Sequence, residues 1–340
     1  MIMRQVLLFM LTLLGALSVW AQDDEPYMVK SFTGVKRVKT QTSGGNISVT
    51  GQEGNTAKVE VVIRSNNSSR QLSNDEIRAK LEEYELSVET QGDVLVLLAK
   101  NKRNGWNKDG LSISFRITSP KEASTNLVTS GGNISLRNLN GKQDFTTSGG
   151  NLVVADLRGD INGRTSGGNI NAERVFDNVD LTTSGGNVSA IASKGKLTLT
   201  TSGGNLQLED LEGTINASTS GGAVNGNRLS GQIEASTSGG NVVLQHISGS
   251  LKAGTSGGNV KVYMDKVDQY VKLSNSGGGI DIDLPDGKGY TLDLRGDKIN
   301  TSILRNFSGS TSEGKMNGTL NGGGAQITAG NSGRINLSFH

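Results

Sequence analysis

Thr201-Ser202-Gly203-Gly204-Asn205-Leu206-Gln207-Leu208-Glu209-Asp210-Leu211-Glu212-Gly213-Thr214-Ile215-Asn216-Ala217-Ser218 is one unit of a repeat, and Thr219-Ser220-Gly221-Gly222 begins the next. The Ser of Thr-Ser-Gly-Gly recurs at Ser130, Ser148, Ser166, Ser184, Ser202, Ser220, Ser238 and Ser256, seven intervals of 18 without a slip. A looser copy, Asn275-Ser276-Gly277-Gly278-Gly279, follows after 20 residues, and a full copy stands apart at Thr42-Ser43-Gly44-Gly45-Asn46. A fixed period of this size marks a solenoid, in which each repeat is one structural unit stacked on the next.

Counted from its Thr, the unit is apolar at position 6 (Ile134, Leu152, Ile170, Val188, Leu206, Val224, Val242, Val260) and mostly apolar at position 8. Positions 11, 15 and 17 are apolar or small in most copies, while 7, 14 and 16 are polar. Alternation of this kind is strand logic: 6 and 8 share one side, as do 15 and 17. The unit therefore reads as two short strands facing each other across an apolar interior. Gly-Gly at 3 and 4 is expected to turn one corner and Gly at 13 another, because glycine suits positive φ and crowded stacked backbones. No stretch of the array keeps a helical period. The fold class is all-β: a single-stranded parallel β-helix with 18-residue coils and one short helix near the N-terminus. The Asn at position 5 is read as a ladder satisfying backbone groups at the bend.

The chain divides into four parts. Residues 1–21 read as an export signal: Arg4 is the basic head, 6–17 is a short apolar run, and Val19-Trp20-Ala21 fits the small-residue cleavage pattern. Twelve apolar residues are too few for about 30 Å of hydrocarbon. Residues 22–127 are irregular strands plus the helix signal, a capping box of Ser73 and Glu76 ahead of a helix at 75–83. This region is expected to cover one end of the array. Residues 128–284 are the regular array, and 285–340 are less regular coils and a cap.

Composition excludes several functions. Lys plus Arg total 34 against 32 acidic residues, so no electrostatic grip on nucleic acid is implied. Cysteine is absent, which removes disulfides, thiolate metal sites and thiol nucleophiles. Gly numbers 48 and Pro only 3, the mark of repeated tight bends and not of flexible linker.

The mature chain resembles the bacterial putative-adhesin family of exported β-helix domains, whose biochemical role is undefined. The resemblance rests on T-S-G-G-N-I-S-V at 42–49, I-T-S-P and N-L-V-T-S-G-G-N-I-S-L at 117–136, I-D-I-D-L-P at 280–285 and L-D-L-R-G-D-K-I at 292–299. It implies a right-handed β-helix in the cell envelope or outside the cell. It brings no catalytic residues and no cofactor.

Only His246 and His340 exist, so a Ser-His-Asp triad or histidine zinc site has little to draw on. A carbohydrate-active β-helix enzyme, lyase or hydrolase, would need acidic groups gathered on one face. The outward columns are instead mostly Ser, Thr, Asn and Gln; Asp156, Asp160, Glu209 and Asp210 fall in turns. Asp281-x-Asp283-x-x-Asp286-Gly287 is like a calcium loop but lacks the ligand order of an EF-hand.

Positions 18 and 2 flank the repeat Thr and should point outward together. They hold Thr146, Ser148, Thr182, Ser184, Thr200, Ser202, Ser218, Ser220, Ser236 and Ser238, with Arg164 and Gly254 as breaks. This column of hydroxyls is the candidate ligand face, suited to a glycan or, as an alternative, an ice plane. The expectation is a non-catalytic, exported, adhesin-like protein whose partner is a glycan or an envelope protein.

Overall fold

The computed structural model describes residues 25–67, 71–102, 109–302 and 304–340. The expected leader at 1–21, and Trp106 of the expected 100–109 loop, lie outside the described residues. The fold is all-β with one helix, Asn74–Leu81, among the described residues.

The 18-residue period is a strand register. Leu152 pairs with Ile170, Ile170 with Val188, Val188 with Leu206, Leu206 with Val224 and Val224 with Val242, all in parallel. The second half of each unit does the same: Ile161, Val179, Leu197, Ile215, Ile233 and Leu251 follow one another rung by rung. Position 6 is fully buried from Ile134 to Val260, and Leu136, Leu208 and Leu244 at position 8 are 0% exposed. Apolar residues at the same position of successive units thus stack on one another and form a continuous core. Volumes are matched locally. At Gly163 a Cβ would lie 2.4 Å from the Phe145 ring, and at Gly226 one would lie 2.7 Å from Leu244. Each of these glycines makes room for a large neighbour in the stack.

Three bends close the unit, not two. Gly-Gly at 3 and 4 and Gly at 13 bend as the sequence predicts; Gly213 has φ +123°. A further bend sits at position 10, where Asn138, Asp156, Arg174, Ala192, Asp210, Arg228 and His246 all take left-handed φ of 51–57°. That bend explains why positions 8 and 11 are both buried although three apart. An unbroken strand would send them to opposite faces.

The two glycines of the first bend are not equivalent. A Cβ at Gly186 would stand 2.1 Å from the carbonyl oxygen of Gly168 in the unit below, whereas one at Gly185 would be 3.6 Å from its nearest atom. The Thr beside them uses its buried hydroxyl fully. Thr183 Oγ1 donates to Gly168 O at 2.8 Å and accepts from Gly186 N at 3.3 Å. The same pair recurs at Thr147, Thr165, Thr201, Thr219, Thr237 and Thr255. Asn275 takes over the role where Thr is missing, donating to Gly258 O at 2.9 Å and accepting from Gly278 N at 3.3 Å.

Both ends are threaded out of order. The isolated Thr42–Asn46 copy is not isolated in space: Arg37–Thr42 and Ile47–Gln52 pair in parallel with Ser124–Thr129 and Ile134–Asn140. On their other side they pair with Val94–Asn101 and Leu111–Pro120. At the far end Ala325–Asn331 lies between Val260–Asn275 and Tyr290–Arg295. Arg334–Phe339 likewise lies between Ile280–Leu284 and Lys298–Thr301. Antiparallel strands line the outermost layers: Tyr84–Gln91, and Thr56–Ser65 with Met28–Thr33 outside it, at one end; Lys315–Leu320 with Phe307–Ser312 outside it at the other.

The helix forms where the capping box places it. Ser73 Oγ accepts from Glu76 N at 3.3 Å and Glu76 Oε2 accepts from Ser73 N at 2.8 Å. It ends at Leu81, two residues short of the expected 83, and buries Ile77.

Candidate functional site

The hydroxyl residues come together as the repeat predicts. Thr146, Arg164, Thr182, Thr200, Ser218, Ser236 and Gly254 occupy successive rungs of one column. Ser148, Ser184, Ser202, Ser220 and Ser238 are all exposed beside it, as are Thr146 and Ser236; Thr182, Thr200 and Ser218 are half-buried by their neighbours. The column partly satisfies itself: Thr200 Oγ1 and Ser218 Oγ lie 3.4 Å apart.

A third column belongs to this face and escapes a reading confined to positions 18 and 2. Position 16 points the same way, two residues along the strand. It carries Asn162, Asp180, Thr198, Asn216, Glu234 and Lys252 on successive rungs. Charge therefore bounds the face. Arg164 lies 3.5 Å from Asp180, whose other oxygen accepts from Thr182 at 3.3 Å. Glu234 and Lys252 pair at 2.6 Å, and that bond holds the Lys252 ammonium above its ordinary pKa. Between these pairs, Thr198, Thr200, Ser202, Asn216, Ser218 and Ser220 form an uncharged patch three columns wide and two units deep. Beyond Glu234 the face dips. Gly254 lacks a side chain between Ser236 and Ser274, and a hollow of about 290 Å³ opens there.

The position-5 Asn column is spoken for by the backbone. Asn133, Asn151, Asn169, Asn187 and Asn205 each accept, through Oδ1, the N–H of the position-5 residue one unit on, at 2.7–2.8 Å. Ala223 interrupts the ladder.

The position-10 bend carries the acidic residues that matter for an enzymatic reading. Arg174 grips Asp156 with Nε at 2.6 Å and Nη2 at 3.0 Å. Arg228 grips Asp210 with distances of 2.5 and 2.9 Å and reaches Glu209 at 2.6 Å. Hydrogen bonds from the guanidinium groups hold both aspartates below their ordinary value of 3.8. Such carboxylates stay ionised at neutral pH and donate no proton. Asp160 stands apart, taking Asn178 Nδ2 at 3.2 Å.

The histidines lie at the C-terminal end of the array, His246 at the same position-10 bend one rung past Arg228 and His340 just after the last strand. His246 Nδ1 is 3.2 Å from Asp265 and His340 Nδ1 is 2.9 Å from Asp283. Asp281 accepts from Asn336 Nδ2 at 2.6 Å. The acidic run at 281–286 is thus drawn into contacts with the last strand, with Asp286 turned aside to its own Gly287 N–H at 2.7 Å.

No family model matches the chain, and no curated protein matches it. Among solved structures, a putative adhesin from Bacteroides fragilis NCTC 9343 is 14% identical, with a TM-score of 0.30, over 91% of this chain and 96% of that one. A putative cell adhesion protein from Clostridium sporogenes ATCC 15579 is 12% identical, with a TM-score of 0.18, over 93% of this chain and all of that one. Neither likeness bears on what this chain binds.

Proposed function

We propose that this is an exported, adhesin-like surface protein without catalytic activity. In this reading its stacked units wind as a right-handed single-stranded β-helix, and the hydroxyl face contacts a surface glycan. The observation that carries the reading is the uncharged patch at 198–202 and 216–220. Rungs of a parallel sheet recur about every 4.8 Å, and residues two apart along a strand are about 6.8 Å apart. A polymer with a matching repeat meets many equivalent hydroxyls at once. Each contact is worth about 0.5–1.5 kcal/mol net, and their sum gives the affinity. The acidic residues at the position-10 bend support the non-catalytic part, since arginine takes up the oxygens of Asp156, Asp210 and Glu209 in ion pairs.

Lysine at Ser184, Ser202 and Ser220 together tests the face. The side chains are exposed, so the triple variant keeps the wild-type circular dichroism and melt. On a glycan array it loses the wild-type signal. An unchanged array profile removes the hydroxyl face from the function.

A further inference from the structure

We infer that the outward side of the sheet at 242–246, 260–263, 280–284 and 335–338 is a second binding site, a cleft for a neutral sugar residue. It lies on positions 7 and 9 of the unit, on a different side of it from the hydroxyl face at positions 16, 18 and 2, and does not depend on that face binding anything.

The cleft is assembled where the repeat breaks. The unit starting at Thr255 is 20 residues long, and the strand stacked after Ile280–Leu284 comes from Arg334–Phe339, 55 residues further on. Together these strands enclose a hollow of about 420 Å³. That is the size range of small-ligand sites. The backbone of Leu244, Val262 and Ile282 forms its floor, their side chains being turned into the core at position 8.

Tyr263 lines one side of the hollow, and both histidines of the chain brace its ring. Tyr263 stacks on His340 at 4.2 Å and 15°, and meets His246 at 5.2 Å and 57°. Asp283 and Asp265 anchor the two imidazoles. The opposite side is a polar relay. Asn300 donates to Asn336 at 2.8 Å, and Asn336 donates to Asp281 Oδ1 at 2.6 Å. This fixes the carboxylate and leaves its second oxygen for another donor. Lys261 lies directly across the rung from Asp281. The side chains of Lys261 and Gln245 and the Tyr263 hydroxyl line the same hollow and, among the described residues, make no hydrogen bond or ion pair.

Charge selects the ligand. An anion entering the cleft meets Asp281 and Asp283, and a cation meets the Lys261 ammonium. A neutral polyol suits both, because each hydroxyl can donate to a carboxylate and accept from an ammonium or amide. Gln245, Lys261, Asp281 and Asn336, one polar side chain from each of four strands, thus converge on one hollow.

The test is saturation-transfer NMR on the whole chain with methyl glucoside, methyl galactoside, methyl mannoside and N-acetylglucosamine, and with glucuronic acid and glucosamine as charged probes. At least one neutral sugar gives signal, and its affinity falls tenfold or more in Lys261→Ala and in Asp281→Asn. Both side chains are exposed, so both variants keep the wild-type melt. The triple lysine variant of the hydroxyl face keeps the sugar signal, which separates failure of one site from failure of the other. Silence from all neutral sugars overturns the proposal. So does preferential binding of the charged sugars, or binding unchanged in both single variants.

Discussion

Replacing Gly186 with alanine sets a Cβ 2.1 Å from the oxygen and 2.5 Å from the carbon of the Gly168 carbonyl. Ordinary contact needs the joint between the two units to open by about 1 Å. Four hydrogen bonds cross it within a few residues: Gly185 N to Ser166 O at 2.9 Å, Ile170 N to Asn187 O at 2.9 Å, Asn187 N to Asn169 Oδ1 at 2.8 Å and Thr183 Oγ1 to Gly168 O at 2.8 Å. A further 1 Å takes each beyond about 3.5 Å, outside bonding range. Losing two or three, with buried partners left unsatisfied, costs about 3–5 kcal/mol. Alanine at the adjacent Gly185 meets nothing nearer than 3.6 Å. Its φ lies outside the left-handed region, so it restricts only the unfolded chain and stabilises by about 0.4–1 kcal/mol. Neighbouring glycines of the same motif thus give opposite signs. Guanidinium denaturation followed by far-ultraviolet circular dichroism reads both, with amide exchange around residues 166–188 to show that the damage is local. Equal midpoints for the two variants, or a lower midpoint for Gly185→Ala, would refute the stacking argument.

Three more outcomes follow from the stack. Leu208→Ala empties a fully buried site and costs about 2–5 kcal/mol. Gln207→Ala, on the exposed neighbour, stays within about 0.5 kcal/mol in the same melts. Ala223→Asn supplies the missing rung, an Oδ1 for the N–H of Asn241, and raises stability by about 0.5–1.5 kcal/mol; an unchanged or lower midpoint means the ladder is incidental. The aspartates held by arginine set an acid response. Their folded-state pKa values lie below 3.8, so their contribution is complete above 3.8 and is lost as pH falls through the lowered values. The double variant Asp156→Asn, Asp210→Asn is therefore less stable than wild type at pH 6, and the gap closes in stronger acid and narrows with salt. A gap that is constant from neutral pH into acid contradicts this.

The parallel register and the buried columns at positions 6, 8, 11 and 15 were legible because stacking forces like residues onto like. The bend at position 10 was hidden by its variety. Asn, Asp, Arg, Ala and His all occupy it, and only the odd spacing between buried positions 8 and 11 betrays it. The hydroxyl columns could be read from the period, but position 16 shares their face through strand geometry, and its Asp180 and Glu234 shrink the uncharged area. The cleft was half legible. His246 and Tyr263 fall at positions 10 and 9 of adjacent units, so their proximity follows from the register. Asn336 and His340 do not, because the order in which degenerate terminal coils stack is decided by packing and leaves no periodic trace.

The out-of-order threading has a mechanical consequence. The last strand, Arg334–Phe339, is not an edge strand but is held by a parallel ladder on both sides; Arg37–Thr42 is held in the same way, behind the edge strand Met28–Thr33, which pairs with Thr56–Ser65 alone. A load applied through residues near 37 and 339 cannot peel the outermost layer first. It has to shear two ladders at once, and the outer coil is tied to the inner one by the chain that loops between them. An ordinary stack frays one rung at a time from its last coil. Pulled at the Arg334–Phe339 end, this one gives way only when both ladders release together.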